Sequence, residues 1–115
     1  MNQYFKKQDE VDKKMKERID ELVKEQVPII IWGIGAFFMR AWENSDLKRT
    51  NIVAFVDKNP IKVRDLKLGT WKVISPDMLA EKKMKGTIVV FCAKDSNSII
   101  RDISVMGIDN NIIVM

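Results

Sequence analysis

Histidine is missing from all 115 residues, and cysteine and tyrosine occur once each. Without an imidazole, histidine acid–base catalysis and histidine metal ligation are excluded. A lone Cys92 closes no internal disulfide and builds no multi-cysteine zinc site. With no imidazole to activate it, Cys92 reads as a small buried hydrophobe rather than a nucleophile. Long apolar runs are missing too. Val27 to Trp32 and Ile88 to Ala93 are strand-length, far short of the roughly 20 residues that span a bilayer. Charge begins at Lys6, which leaves no apolar core for a secretory leader. A cytoplasmic protein with no membrane partner is therefore expected. There is no serine nucleophile elbow, no Tyr-x-x-x-Lys pair and no G-x-x-x-x-G-K loop. The one tyrosine, Tyr4, lies far in sequence from every motif below, and no catalytic residue stands out.

What is present describes one folded domain: 46% of residues are hydrophobic and 31% are charged. The net charge of +4 is unevenly placed. Residues 1–26 carry seven basic and seven acidic side chains, whereas residues 58–85 hold eight basic ones against Asp65, Asp77 and Glu81. That basic stretch is either an attractor for an anionic ligand or an ordinary solvated rim. Aromatic residues do not alternate with these charges, so a nucleic-acid partner is not expected.

The order of patterns predicts an α/β protein. Residues 2–25 read as one amphipathic helix, with Val11, Met15, Ile19, Leu22 and Val23 at spacings of three and four. The helix, with a partial seam (Tyr4, Val11, Met15, Leu22), has three uses open: packing on the chain's own sheet, pairing with a second copy in a homodimer, or linking to another domain. The expected division is thus an N-terminal helix over 1–26 and an α/β domain over 27–115. From Pro28 onward, strand and helix patterns alternate. Strands are predicted at 27–32, 52–56, 71–74, 87–92 and 112–114. Helices are predicted at 36–44, from Pro76 through Lys82, and from Asp95 or Ser96 through Met106. Ser75 and Pro76 supply an N-cap and a first helical residue, and Gly107 supplies a stop. Strands apolar on both faces and separated by helices indicate a parallel sheet covered on each side. The expectation is a three-layer αβα sandwich with a five-stranded parallel sheet in the order 3-2-1-4-5, preceded by the long helix.

One constellation points to a ligand. Strand one ends in Trp32-Gly33-Ile34-Gly35-Ala36, and strand two ends in Val56-Asp57-Lys58. Gly33 and Gly35 fit the first two glycines of G-x-G-x-x-G, where the chain turns tightly and a pyrophosphate meets bare backbone and a helix N-terminus. The third position is Phe38, a departure from the small residue that packs helix against strand. Asp57 follows Gly35 by 22 positions, where an acid reaches ribose hydroxyls. The same residues also suit a plain strand–helix turn and an Asx turn before Pro60. Cofactor contacts are accordingly expected from Gly33, Gly35, Ala36, Asp57 and Lys58, with NAD, NADP or a nucleotide-sugar as the ligand. Lys94 and Asp95, after strand four, are on the same edge. Trp32 and Trp71 either border a base or pack in the core.

The stretch from Ile30 to Leu79 resembles a Rossmann-like module of nucleotide-sugar metabolism. It is carried by Ile31-Trp32-Gly33-Ile34-Gly35, by Ile52 through Pro60 with its Asp-x-Asn-Pro turn, and by Gly69 through Leu79 with its Ser-Pro-Asp helix start. It looks like the C-terminal domain of sugar C-methyltransferases, and is similar to the N-terminal domains of sugar O-acyltransferases and polysaccharide-biosynthesis dehydratases. The resemblance implies an accessory domain that binds a dinucleotide or nucleotide-sugar in saccharide biosynthesis, with Gly33, Gly35 and Asp57 as contacts. The histidine–glycine pair of the acyltransferases is absent, and so is any zinc-binding segment. Two alternatives stand beside it. One is a small methyltransferase using S-adenosylmethionine, against which Ile30 and Ile31 stand where such enzymes place an acid. The other is a structural or dimerisation module with an empty cleft.

Overall fold

The computed structural model describes residues 3–92 and 96–115, with the backbone alone over residues 3–12. Helix α1 (Gln3–Glu25) leads into strand β1 (Pro28–Trp32). Met15, Ile19 and Leu22 are buried at helical spacing, so this stripe of α1 is used against the chain's own sheet. The side chains of Tyr4 and Val11 lie outside the described residues. Gln26 ends α1 in a left-handed conformation (φ +54°). Its side-chain amide donates to the carbonyls of Val23 and Arg49, which offsets the strain of a left-handed non-glycine residue.

After β1 come α2 (Ala36–Asn44), a 3-10 turn (Leu47–Arg49), β2 (Asn51–Val56), α3 (Pro60–Asp65), β3 (Lys67–Leu68) and β4 (Trp71–Ile74). Then follow α4 (Pro76–Lys82), β5 (Thr87–Val90), α5 (Ser96–Val105) and β6 (Ile112–Val114). The sheet has six strands in the order β3-β4-β2-β1-β5-β6. This corrects the expected five strands in the order 3-2-1-4-5. The added strand is β3, two residues long, and it pairs antiparallel to β4 across the Gly69 turn. All other pairings are parallel. The architecture is thus a mixed α/β sheet of Rossmann-like character, with one short antiparallel edge.

Two apolar clusters flank the sheet. Ile29, Ile31, Phe55, Val89 and Phe91 face α1 and α2 through Ile19, Leu22, Phe38 and Ala41. Ile30, Trp32, Val56, Ile88 and Val90 face α4 and α5 through Leu79 and Ile103. Alternation along β1 therefore feeds both cores, which is why this strand is apolar throughout. The register between β1 and β2 shifts between Ile29 and Ile30, whose partners are Ile52 and Ala54. Val53 is the extra residue of that bulge and is turned toward solvent at 37% exposure. Ser75 caps α4 by accepting from the Met78 N–H, with Pro76 at the first helical position.

Candidate functional site

The turn after β1 separates the two glycines into different roles. Gly33 has φ +99°, and its N–H donates to the Val56 carbonyl at 2.9 Å. A Cβ there would lie 2.6 Å from the Phe91 carbonyl oxygen. Only glycine fits, for both backbone and steric reasons. Gly35 is different. It is extended (φ −110°, ψ −162°) and stands as the N-cap of α2. A Cβ on it would meet nothing within 4 Å, so the protein itself does not demand glycine here. The space above this backbone is open, next to the first-turn amides of α2, among them that of the exposed Ala36. Phe38 does not crowd it. That ring is fully buried and packs on Trp42, Phe55 and Phe91 with centroids 5.6–5.8 Å apart. Phe37 is half-buried, edge-on to Phe91.

Asp57 follows β2 and turns toward the glycine turn. Its Oδ2 accepts from the Ile34 N–H at 2.8 Å, and its Oδ1 accepts from the Asn59 N–H at 2.8 Å. Lys62, on α3, donates to the Ile34 carbonyl at 2.6 Å and lies 3.7 Å from Asp57 Oδ2. Both backbone groups of Ile34 are thus held by the segment that follows β2. The Asp57 side chain is only 13% exposed. In this arrangement its carboxylate has already taken two backbone donors and one cation, out of about four acceptor positions. Asp57 and the glycine turn are together, as their spacing implies, and the acid works first as a clamp on that turn.

Beside this clamp, at the carboxyl ends of the parallel strands, lies a cavity of about 620 Å³. Three strand ends reach it: Trp32 closes β1, Lys58 follows β2 and Ser75 follows β4. Val63 of α3 and Val105 and Met106 from the end of α5 add apolar wall. Its polar groups include Arg64, Asp77 and Asp102. Lys58 Nζ forms an ion pair with Asp102 Oδ2 within this lining. Of the five expected contact residues, Lys58 lines the cavity and Gly33, Gly35, Ala36 and Asp57 do not, although Trp32 and Lys58 are the chain neighbours of Gly33 and Asp57. The volume falls in the range of small-molecule sites, and its apolar wall with few polar groups is the usual composition of one.

Trp32 thus borders the cavity, whereas Trp71 packs edge-on to Phe55 in the opposite core. Cys92 is half-buried against the α4/α5 cluster. Lys94 and Asp95 lie outside the described residues. Lys62 and Asp102 are the polar groups that sequence reasoning missed. Lys62 had a signal in the Asn59-Pro60 helix start, which places it one turn from Asp57. Asp102 had none, since only the tertiary packing of α5 brings it to the strand ends. Among the described residues, no group of three or more His, Cys, Asp or Glu side chains is placed to hold a metal. No helix among them is long and apolar enough to cross a membrane.

No protein-family model matches the chain, and no curated protein matches it in sequence. Among solved structures, it is similar to the crystal structure of RSP, a Rex-family repressor. The identity is 18% and the TM-score 0.49, over 77% of this chain and 52% of that one. The chain therefore spans about half the length of that structure.

Proposed function

We propose that the chain is an accessory, non-catalytic domain that binds a dinucleotide, NAD or NADP, or a nucleotide-sugar at the carboxyl edge of its sheet. Two observations support this reading: open backbone at the glycine-capped start of α2, and a cavity lined by Trp32 and Lys58, the chain neighbours of Gly33 and Asp57. The turn offers bare backbone at Gly35 for a phosphate. The cavity, which begins one residue before Gly33 and one after Asp57, offers Trp32, Val63 and Val105 to a base. Service in saccharide biosynthesis rests on the resemblance of residues 30–79 alone.

A thermal-shift panel of NAD, NADP, UDP-glucose and S-adenosylmethionine tests the proposal. A ligand at ~100 times its dissociation constant stabilises the folded chain by about 2.7 kcal/mol. The expected outcome is a response to a dinucleotide or to the UDP-sugar that is lost in Gly35→Val. That variant keeps an allowed extended backbone and fills the space over the turn. A response to S-adenosylmethionine alone would support the methyltransferase alternative. Silence toward every ligand would favour the structural module. One observation leans toward that second reading: the Asp57 carboxylate is already engaged by Ile34, Asn59 and Lys62.

A further inference from the structure

We propose that Asp102, on α5, is the carboxylate that reads ligand hydroxyls in the strand-end cavity, with Lys58 as its resting counter-ion. The inference rests on the nucleotide-binding reading above and moves the hydroxyl-accepting role away from Asp57. Two observations carry it. The first is that most of Asp57 is already engaged: it holds the Ile34 and Asn59 amides and faces Lys62. Taking up a vicinal diol would require it to release the turn it secures. The second is the state of Asp102. Its Oδ2 is shielded from solvent, and the partner it has is the ammonium of Lys58, an exposed side chain, rather than a backbone amide. In the cavity, beside Trp32, Val63, Arg64, Asp77, Val105 and Met106, a ligand donor takes the place of that ammonium on Asp102.

Lys58 suits the part of an exchangeable partner. Its side chain is 61% exposed against 35% for Asp102, so the ammonium swings into water or onto a ligand phosphate at little cost. A ligand carrying both an anionic group and hydroxyl or amino donors then satisfies the two residues separately: the anion takes Lys58 and the donors take Asp102. Ribose-bearing phosphates and sugar phosphates have that combination. Simple aromatic acids do not, because they offer Asp102 no donor.

The test uses ADP and 2′,3′-dideoxy-ADP as probes, titrated calorimetrically into the full chain and two variants. The wild-type chain is expected to prefer ADP by roughly tenfold or more, the worth of a hydrogen bond to a charged acceptor. Asp102→Asn is expected to bring the two affinities within about twofold. Loss of Asp102 leaves an already exposed Lys58 in water, so the variant is expected to melt as the wild type does. Lys58→Met removes the counter-ion but keeps the Asp102 carboxylate, and is expected to keep the preference while weakening both probes. A preference for ADP that survives in Asp102→Asn, or that vanishes in Lys58→Met, overturns the assignment and leaves nucleotide binding standing. Equal affinity of the wild-type chain for both probes overturns it as well. If neither probe binds the wild-type chain, the nucleotide reading falls and takes this assignment with it.

Discussion

Exchanging each glycine of the turn for alanine separates structure from ligand space. At Gly33 the added methyl meets two obstacles. The backbone sits at φ +99°, where a side chain costs about 1–2 kcal/mol. The Cβ would also come within 2.6 Å of the Phe91 carbonyl oxygen, and overpacking of that kind costs roughly 1–3 kcal/mol. Neither neighbour moves freely. The Phe91 N–H is bonded to the Trp32 carbonyl at 2.9 Å, and the Gly33 N–H to the Val56 carbonyl at 2.9 Å. Gly33→Ala is therefore expected to lose about 2–5 kcal/mol, a large share of the roughly 5–15 kcal/mol that holds a domain together. Gly35→Ala meets nothing within 4 Å in an ordinary extended backbone, and as a change from glycine to the less favoured alanine at an N-cap it is expected to cost about 0.5–1 kcal/mol. Urea unfolding followed by far-UV circular dichroism measures both. Equal losses in the two variants, or a Gly33→Ala loss under about 1 kcal/mol, would refute the division of roles drawn from the turn geometry.

Four further outcomes are expected. Asp57→Ala removes the acceptor for the Ile34 and Asn59 amides and should cost about 2–4 kcal/mol in the same urea assay, whether or not a ligand exists. Ser75→Ala removes the cap on the Met78 amide, with an expected loss near 1 kcal/mol. Phe38→Ala empties the centre of the ring cluster, with an expected loss of roughly 3–5 kcal/mol. Deleting residues 1–25 strips Met15, Ile19 and Leu22 from the core. A broadened or absent thermal transition is expected, and a sharp melt with altered oligomeric mass would instead assign α1 to pairing between copies.

The layered α/β plan was legible because β1, β2 and β5 are apolar on both faces, and because punctuation such as Ser75-Pro76 and Gly107 falls where helices begin and end. The elements that escaped were those with little burial to betray them. Helix α3 buries no residue fully, and no helix is predicted over its six residues. Its start was nonetheless written in Asn59, which accepts from the Ile61 N–H, and in Pro60 after it. Strand β3 has two residues and a single buried side chain, Leu68, too few for any period to show. At the site, local spacing brought Asp57 to the glycine turn. Whether a carboxylate at that spot is free or already bonded depends on atoms that no motif encodes. Asp102 and the cavity it borders arise from β1, β4, α3 and α5 converging. Residues separated so widely leave no local pattern.

Helix α1 comes first in the chain, yet the surface it covers is made by strands that follow it. Arg18 reaches the Val114 carbonyl at 2.7 Å, a bond spanning 96 positions. Such a helix has no seat until β1, β2 and β5 have aligned, so early in refolding its apolar stripe is without a home. Placing α1 behind β6 in a circularly permuted chain would let the platform form ahead of its cover. The permuted order should refold with less aggregation than the natural one.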